Sequence, residues 1–325
     1  MKNSISVVIP NYNGKQLLES NIPSVYHALL SSDISDFEII ISDDASVDNS
    51  VEFIKSNYPE VILVENKINK GFSGNMNSGI FRATKDLILL LNSDVVLTTG
   101  YFKNQLHYFS KSDTFGVMGR ITSLDSDRIQ DAGKYAKFSF AKIVTTINYT
   151  CETEISLYSL YLLGANSLVD REKIFELGGF SEIYNPYNFE DVDLGLRAWS
   201  LGYKCYYEHK AICKHPISST LKKEPNNKVR IISIRNQLYL HFIHLNNYEL
   251  FYYFFAIMGK TIYRAITLDL NYLKSVYLFV CTIKKCKEQK NVFFELKKQK
   301  KINISIWNVI SFIQKEIGTK KIVKF

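Results

Sequence analysis

The sequence predicts an α/β fold: a doubly wound sheet covered by helices on both faces, followed by a basic helical C-terminal region. Two apolar runs support the sheet, Phe37-Glu38-Ile39-Ile40-Ile41-Ser42-Asp43-Asp44 and Leu87-Ile88-Leu89-Leu90-Leu91-Asn92-Ser93-Asp94. Runs with almost no alternation are strands buried on both faces, and such strands belong to parallel sheets packed under helices. The C-terminal region is marked by a shift, after residue 235, to aromatic and aliphatic clusters separated by lysines.

In chain order, strands are expected over residues 5–9, 37–42, 61–65 and 87–92. Helices over 14–30, 48–57 and 71–83 alternate with them, since Leu17, Val25 and Leu29, then Val51 and Ile54, then Phe72, Met76 and Ile80 recur at helical spacing. From 116 to 165 no helix period is visible, and short β-prone stretches such as Val144-Thr145-Thr146-Ile147 predict a loop-rich insertion with antiparallel strands. A short helix over 171–177 is closed by Gly178-Gly179, and another over 190–201 by Gly202 in the usual C-terminal position. Residues 204–207 then resume as a strand. The expected division is a main domain over 1–235 and a basic amphipathic helical region over 236–325.

At 325 residues, with 46% hydrophobic side chains, the chain can bury a large core and is not disordered. Its net charge of +8 is uneven: residues 236–325 hold 15 Lys and Arg against 5 Asp and Glu, which leaves the main domain slightly acidic. A groove that tracks nucleic-acid phosphates would need basic residues where the ligand lies, so nucleic acid is excluded as its substrate. Met1-Lys2-Asn3-Ser4 leads directly into Ile5-Ser6-Val7-Val8-Ile9-Pro10, too short an apolar stretch for a signal peptide. With five cysteines and no CxxC pair, this suits a cytoplasmic protein with reduced thiols. The apolar clusters at 248–258 and 276–280 fall short of the roughly 18–20 residues of a membrane span. Beside the lysine-rich stretch 284–301 they fit a protein lying on an anionic membrane surface, each nearby Lys contributing about 1 kcal/mol; the alternative is a helical subdomain with a solvated charged face.

The candidate chemistry sits at strand ends, the edge where open α/β sheets bind ligands. The turn Pro10-Asn11-Tyr12-Asn13-Gly14 lacks both GxGxxG and GxxxxGK[ST], so a dinucleotide fold and a P-loop are excluded there. Tyr12 could stack on a base and Asn13 bond its edge, or the pair could form a turn. Ser46 or Asp48 can cap the next helix, whereas Asp44 is left to accept the imide N–H of uracil or thymine. In Gly71-Phe72-Ser73-Gly74-Asn75-Met76-Asn77-Ser78-Gly79-Ile80, Phe72, Met76 and Ile80 are core, and Gly74 and Asn75 are expected to face the ligand. Asp94 can bind Mg²⁺ or Mn²⁺, because such cations need only one or two protein carboxylates beside substrate phosphates and water. Lewis-acid assistance to a departing diphosphate would follow. Glu190, Asp191 and Asp193 occupy the first turn of a helix, where the macrodipole stabilises acids and Asp193 pairs with Arg197. A carboxylate held ionised there is a ready general base.

The order of these motifs resembles family 2 inverting glycosyltransferases with the GT-A fold, most of all the rhamnosyltransferase-like branch of bacterial surface-polysaccharide enzymes. The resemblance runs from Ile5 to about Asn236 and also takes in Ile129-Gln130-Asp131-Ala132-Gly133, Gly164-Ala165-Asn166 with Arg171, Gly178-Gly179-Phe180, His215 and Arg235-Asn236. It implies a single Rossmann-like mixed sheet flanked by helices, with Asp44 on the nucleobase, Asp94 on metal and diphosphate, and Asp191 as catalytic base. It also implies substrate contacts from Pro10, Tyr12, Asn13, Asp43, Gly74, Asn75, Asn92, Ser93, Asn166, Glu190 and Arg235. His215 falls where related enzymes place a histidine near the metal, although a histidine beside a proline can equally be a loop residue. The implied reaction moves a sugar from a UDP- or dTDP-sugar to a hydroxyl of a glycan or lipid-linked acceptor, with inversion, at the inner face of the cell membrane. Two segments depart from the family pattern: Ser181-Glu182 stands where Asp-Glu is common, and Tyr187-Asn188-Phe189 precedes the Glu190-Asp191 pair. Of the competing readings, a nucleotidylyltransferase would need a Gly-rich, Arg-containing loop after the first strand, and an inactive membrane scaffold of the same fold would have lost the acids.

Overall fold

The computed structural model describes residues 2–139, 142–151, 157–216, 225–302 and 304–325. The first half alternates β1 (Ile5–Asn11), α1 (Lys15–Leu30), β2 (Phe37–Asp43), α2 (Ser50–Asn57), β3 (Ile62–Glu65), α3 (Gly71–Ile80) and β4 (Leu87–Leu91). These match the expected elements to within a few residues. β5 (Val96–Leu97) follows, then a short 3₁₀ helix over Leu106–Ser110 that the sequence did not signal.

The middle of the chain departs further from expectation. β6 (Thr114–Ser123) is a ten-residue strand of the main sheet rather than part of a loop-rich insertion. β7 (Ile129–Asp131), β8 (Gly133–Ser139), β9 (Lys142–Thr150) and β10 (Leu157–Tyr158) follow, with β8 and β9 antiparallel as expected. Residues 140–141 and 152–156 of the expected insertion lie outside the described residues. β11 (Asn166–Asp170), α4 (Arg171–Glu176) and α5 (Glu190–Ser200) lead to β12 (Lys204–His215), which runs eight residues beyond the expected strand. A register shift between Tyr207 and Ile212 explains the miss, because a bulge breaks the alternation by which a strand is read.

The main sheet has the order β10-β12-β6-β11-β4-β1-β2-β3, with β11 antiparallel to both neighbours and β1–β4 mutually parallel. Its two faces explain the near-continuous apolar runs. Val8, Ile40 and Leu90 pack on one face with Met76 and Ile80 of α3, and Val7, Ile9 and Leu89 on the other with Leu18, Val25 and Leu29 of α1. Each such fully buried side chain contributes roughly 1.5–3 kcal/mol of transfer free energy. α3 lies so close to β1 that a Cβ on Gly79 would stand 2.5 Å from the Val8 side chain.

The chain leaves β1 toward β2 and β3 on one side and later returns to β4 on the other. The crevice at the C-terminal ends of β1 and β4 is therefore the topological switch point, where such sheets bind ligands. β1 pairs with β4 only to Val8–Leu90 but with β2 as far as Asn11–Asp43. Pro10, which has no N–H to donate, stands where the strands part.

The last hundred residues form α6 (Asn226–His244), α7 (Asn247–Ile266), α8 (Leu270–Gln299), α9 (Ile306–Gly318) and β13 (Val323–Lys324). They share a core with the sheet: Leu238, Leu240, Val309, Ile310 and Ile313 are buried in one cluster with Trp199 and Tyr207. β13 also pairs with β9. No helix among the described residues is long and apolar enough to cross a membrane.

Candidate active site

The loops after β1 and β2 form one hydrogen-bonded unit. Asp43 accepts from the Asn11 side chain at 2.8 Å and from the Ser46 backbone N–H at 2.9 Å, which holds the second loop against the first. Asn13, in the left-handed region at φ 51°, accepts from the Val47 N–H at 2.8 Å, and Asp48 accepts from Lys15 N at the start of α1. Tyr12 is thereby left on the rim with 56% of its surface exposed. Its ring is a free platform beside the Asp43–Asp44 turn.

Asp44 is buried, and its two oxygens accept the Lys70 and Gly71 backbone N–H groups at 2.8 and 3.0 Å. Burial pushes its carboxyl above the usual range, against the pull of those two amides. The Asn66 side-chain amide also donates to Oδ1 at 3.5 Å, so Oδ2 retains a lone pair and Asp44 can accept one more donor while held in place. Gly74 and Asn75 depart from expectation. A Cβ on Gly74 would meet Lys70 at 2.7 Å and Glu182 at 3.4 Å, and Asn75 is buried between the Asn11 carbonyl and the Asn66 amide. Both therefore face protein, and Asn75 braces α3 against β1.

At the end of β4, Asn92 accepts from Val95 N and donates its own N–H to Ala165 O, so residues 92–95 form a tight turn. Ser93 abuts the start of α1, 3.7 Å from where a Gly14 Cβ would stand. Asp94 Oδ2 lies 3.2 Å from His215 Nε2, which the end of β12 brings across the sheet. Gln130 holds that imidazole from its Nδ1 side. Its amide nitrogen donates to the His215 carbonyl at 2.8 Å, so its oxygen must be the group facing His215 Nδ1 at 3.2 Å. Nδ1 therefore carries a hydrogen, and in that tautomer Nε2 turns its lone pair toward the Asp94 carboxylate. An imidazole nitrogen beside a carboxylate oxygen offers two ligand atoms to a cation, and the buried Asp94 Oδ1 has no hydrogen-bond partner. The pair therefore fits a divalent ion. Among the described residues no group of three or more His, Cys, Asp or Glu forms a metal cage, so the other ligands would be phosphate oxygens and water.

Asp191, at the start of α5, accepts the Gly164 N–H at 3.0 Å, and a Cβ on Gly164 would itself approach that oxygen to 3.0 Å. Glu190 is buried beside it, with Oε2 lacking a partner. Here the expectation of an acid held ionised by the helix dipole fails. Burial drives Asp191 up to about 7 and Glu190 up to about 8, the latter helped by the neighbouring charge of Asp191. Desolvation outweighs the dipole because the macrodipole contributes only about 0.3–1 kcal/mol. Buried Lys134, ion-paired to Asp131, pulls Asp191 partly back.

Asp193 has a different environment. Arg197 at 2.8 Å and His244 at 2.8 Å outweigh its burial and hold it down at about 2. Arg197 also donates to Leu177 O and Gly179 O, which fastens α5 to the Gly178-Gly179 turn, where both glycines have positive φ. A Cβ on Gly179 would lie 2.4 Å from Asn77 Oδ1.

The entry to α5 is strained: Asn188 and Phe189 both adopt left-handed φ, at 74° and 77°. Such residues cost of order 1–3 kcal/mol each and persist only where the surroundings over-determine them. Asn236 supplies that constraint, donating to the carbonyls of Tyr184, Tyr187 and Asn188. Two further expected substrate contacts are engaged in the framework. Arg235 donates to Asn185 O and Asn236 Oδ1, and the wholly buried Asn166 donates to Gly119 O and Cys213 Sγ. The structure thus brings Tyr12, Asn13, Asp43 and Asp44 together on one rim and Asp94 together with His215. Sequence reasoning assigned no role to Gln130, Lys134, Gly164, Asn236 or His244. Gln130 and Asp131 had one available signal, their place in a short polar segment of the motif series.

The Glycosyl transferase family 2 profile matches residues 6–168. Uncharacterized glycosyltransferase alr2836 of Nostoc sp. is 34% identical over 126 residues, 38% of this chain and 38% of that one. UDP-Glc:alpha-D-GlcNAc-diphosphoundecaprenol beta-1,3-glucosyltransferase WfaP of Escherichia coli is 30% identical over 112 residues, 34% of this chain and 43% of that one. The matched segment spans well under two thirds of either relative. Among solved structures, GalNAc-T7 with UDP, GalNAc and Mn²⁺ superposes with a TM-score of 0.64 at 15% identity, over 98% of this chain and 57% of that one.

Proposed function

The chain belongs to glycosyl transferase family 2, and from that premise we propose that it is an inverting, divalent-cation-assisted glycosyltransferase with the GT-A fold. Its donor would be a UDP- or dTDP-sugar, and its acceptor a hydroxyl of a glycan or lipid-linked sugar in cell-surface polysaccharide synthesis. Tyr12 stacks on the base, and Asp44 accepts the imide N–H with its remaining lone pair. Asp94 and His215 Nε2 would hold Mg²⁺ or Mn²⁺, which when bound would neutralise charge on the departing diphosphate. Asp191 takes the proton of the acceptor hydroxyl as that oxygen forms its bond to the anomeric carbon. The bond from that carbon to the diphosphate breaks, its electron pair leaves with the diphosphate, and the configuration inverts.

The observation that carries the reading is Asp191, a carboxyl on the Gly164 amide that titrates near neutrality. General bases work best with a pKa near the operating pH. The test is Asp191→Asn: transfer from UDP- or dTDP-sugar should fall by about 10²–10⁴-fold, while nucleotide binding with Mn²⁺ persists. Retained transfer would remove Asp191 from the role.

We also place the protein at an anionic bilayer surface on the cytoplasmic side. α7 supports this, since Phe251, Phe254, Phe255, Met258, Ile262 and Ile266 are all exposed along it. They lie on one stripe of the helix, and the neighbouring α8 exposes Lys274, Lys284 and Lys285.

A further inference from the structure

A second cavity system, which the reaction at Asp191 does not use, lies between α7 and the β8–β9 pair. It has two parts, one of about 400 Å³ and one of about 270 Å³, and Ala256 lines both. The larger part is aromatic: Phe138 and Trp307 stack with ring centroids 3.7 Å apart, and Tyr248 and Tyr252 line the same space. The smaller part brings Lys142 and Lys260 together, and neither has a carboxylate partner among the described residues. Lys260 is pushed below its usual range by burial and by the charges of Lys142, Arg264 and Arg230. Asp269, the nearby acid, is held by Arg230 and Arg264. Tyr272, buried beside the exposed Lys260, reaches toward Thr261 without closing a hydrogen bond.

Cations without carboxylate partners at one end, Lys260 standing 5.1 Å over the Tyr272 ring, and aromatic walls at the other suit an anion that carries a hydrocarbon chain. Glu249 sets the direction, because its Oε1 is buried without a partner at the aromatic end and would repel a phosphate there. Ile234 and Gln237 of α6 line the lysine end, and Asn236 between them in sequence holds the carbonyls of Tyr187 and Asn188 in the loop that leads to Asp191, so the lysine end is the one that adjoins that loop. A second copy of the chain is a poor occupant, since residues 236–325 carry three times as many Lys and Arg as acids and would repel their like.

We infer that this groove holds the lipid end of the acceptor, with Lys142 and Lys260 on its phosphate and Phe138, Tyr252 and Trp307 along its hydrocarbon chain. The attached sugar then extends toward Asp191. The inference rests on the reading of the protein as a glycosyltransferase with a lipid-linked acceptor.

Trp307 reports directly on the groove, because the only other tryptophan, Trp199, is buried in the core. Titrating the full chain with farnesyl diphosphate should shift Trp307 emission saturably to the blue. The Lys142→Ala/Lys260→Ala double variant should weaken that binding at least ten-fold, and farnesol should bind at least ten-fold more weakly than its diphosphate. Equal affinity for farnesol, no loss in the double variant, or equal displacement by phosphatidylglycerol vesicles would overturn the assignment. Calorimetry of UDP with Mn²⁺ on the same samples separates the two readings. If UDP fails to bind while farnesyl diphosphate binds as expected, the donor reading falls and the groove stands as a lipid-phosphate site.

Discussion

Gln130 and His215 are joined at two points: the Gln130 amide donates to the His215 carbonyl, and its oxygen faces Nδ1. The imidazole is thereby held in one tautomer with its Nε2 lone pair directed at Asp94. Outer partners of this kind typically change metal affinity by about 10–100-fold. Gln130→Ala should lower Mn²⁺ affinity in the presence of UDP by about that factor, and His215→Ala by at least as much, measured by calorimetry. A nitrogen ligand also favours Mn²⁺ over Mg²⁺. Unchanged Mn²⁺ binding in Gln130→Ala would refute the tautomer argument.

The pH profile of transfer should follow Asp191. A base must be deprotonated to act, so kcat/KM is expected to fall as pH drops below about 7, where the half-buried carboxyl takes up its proton. Lys134→Ala removes the charge that draws Asp191 down and should move this limb to higher pH. A profile flat from pH 5 to 8 would contradict the assignment.

The same burial carries a cost in stability. A carboxyl raised in the folded state destabilises the fold as pH climbs from the ordinary carboxylate range through its folded value, here about 7 for Asp191. Asp191→Asn should therefore raise Tm at pH 8 by several degrees, given about 2 °C or more per kcal/mol, and leave Tm near pH 4 almost unchanged. Thermal scans at the two pH values would settle the matter, and a lower Tm at pH 8 would argue against it.

Asp193 has the opposite sign. Its folded value of about 2 lies below the ordinary carboxylate range, so its stabilisation is present above about pH 4 and is lost as pH falls toward 2. Asp193→Ala leaves Arg197 buried without its partner and should cost about 3–5 kcal/mol at pH 7. Urea unfolding at pH 7 and pH 3 should show the difference between variant and parent narrowing in acid.

Asn236→Ala removes the group that donates to three carbonyls ahead of α5. Leaving those carbonyls unsatisfied should cost about 1–3 kcal/mol. The strained pair Asn188-Phe189 would relax and carry Asp191 with it. The expected signature is a fall in kcat larger than any change in donor affinity, and a variant that lost stability alone would show Asn236 to be merely structural.

The sequence alone was sufficient to read the strands that end at Asn11, Asp43 and Leu91, because strands buried on both faces must be apolar throughout. Asp44 and Asp94 followed as polar residues just beyond those ends. The sequence could not show which way a polar side chain points within a motif. Gly74, Asn75, Asn166 and Arg235 belong to the right segments, yet Gly74 faces Lys70 and Glu182 and the other three bond neighbouring protein groups. His215 read as an ambiguous histidine because the bulge in β12 hid the strand that carries it to Asp94.

Element order, fold class and the positions of the strand-end acids are thus properties of local pattern, written in the spacing of apolar residues. Ionisation and partnership belong to the tertiary structure. Glu190, Asp191 and Asp193 are near-identical neighbours in sequence, yet two are driven up toward neutrality and the third is held at about 2. The difference arises because desolvation and the charges of Lys134, Arg197 and His244 act across distances in the chain that no local pattern records.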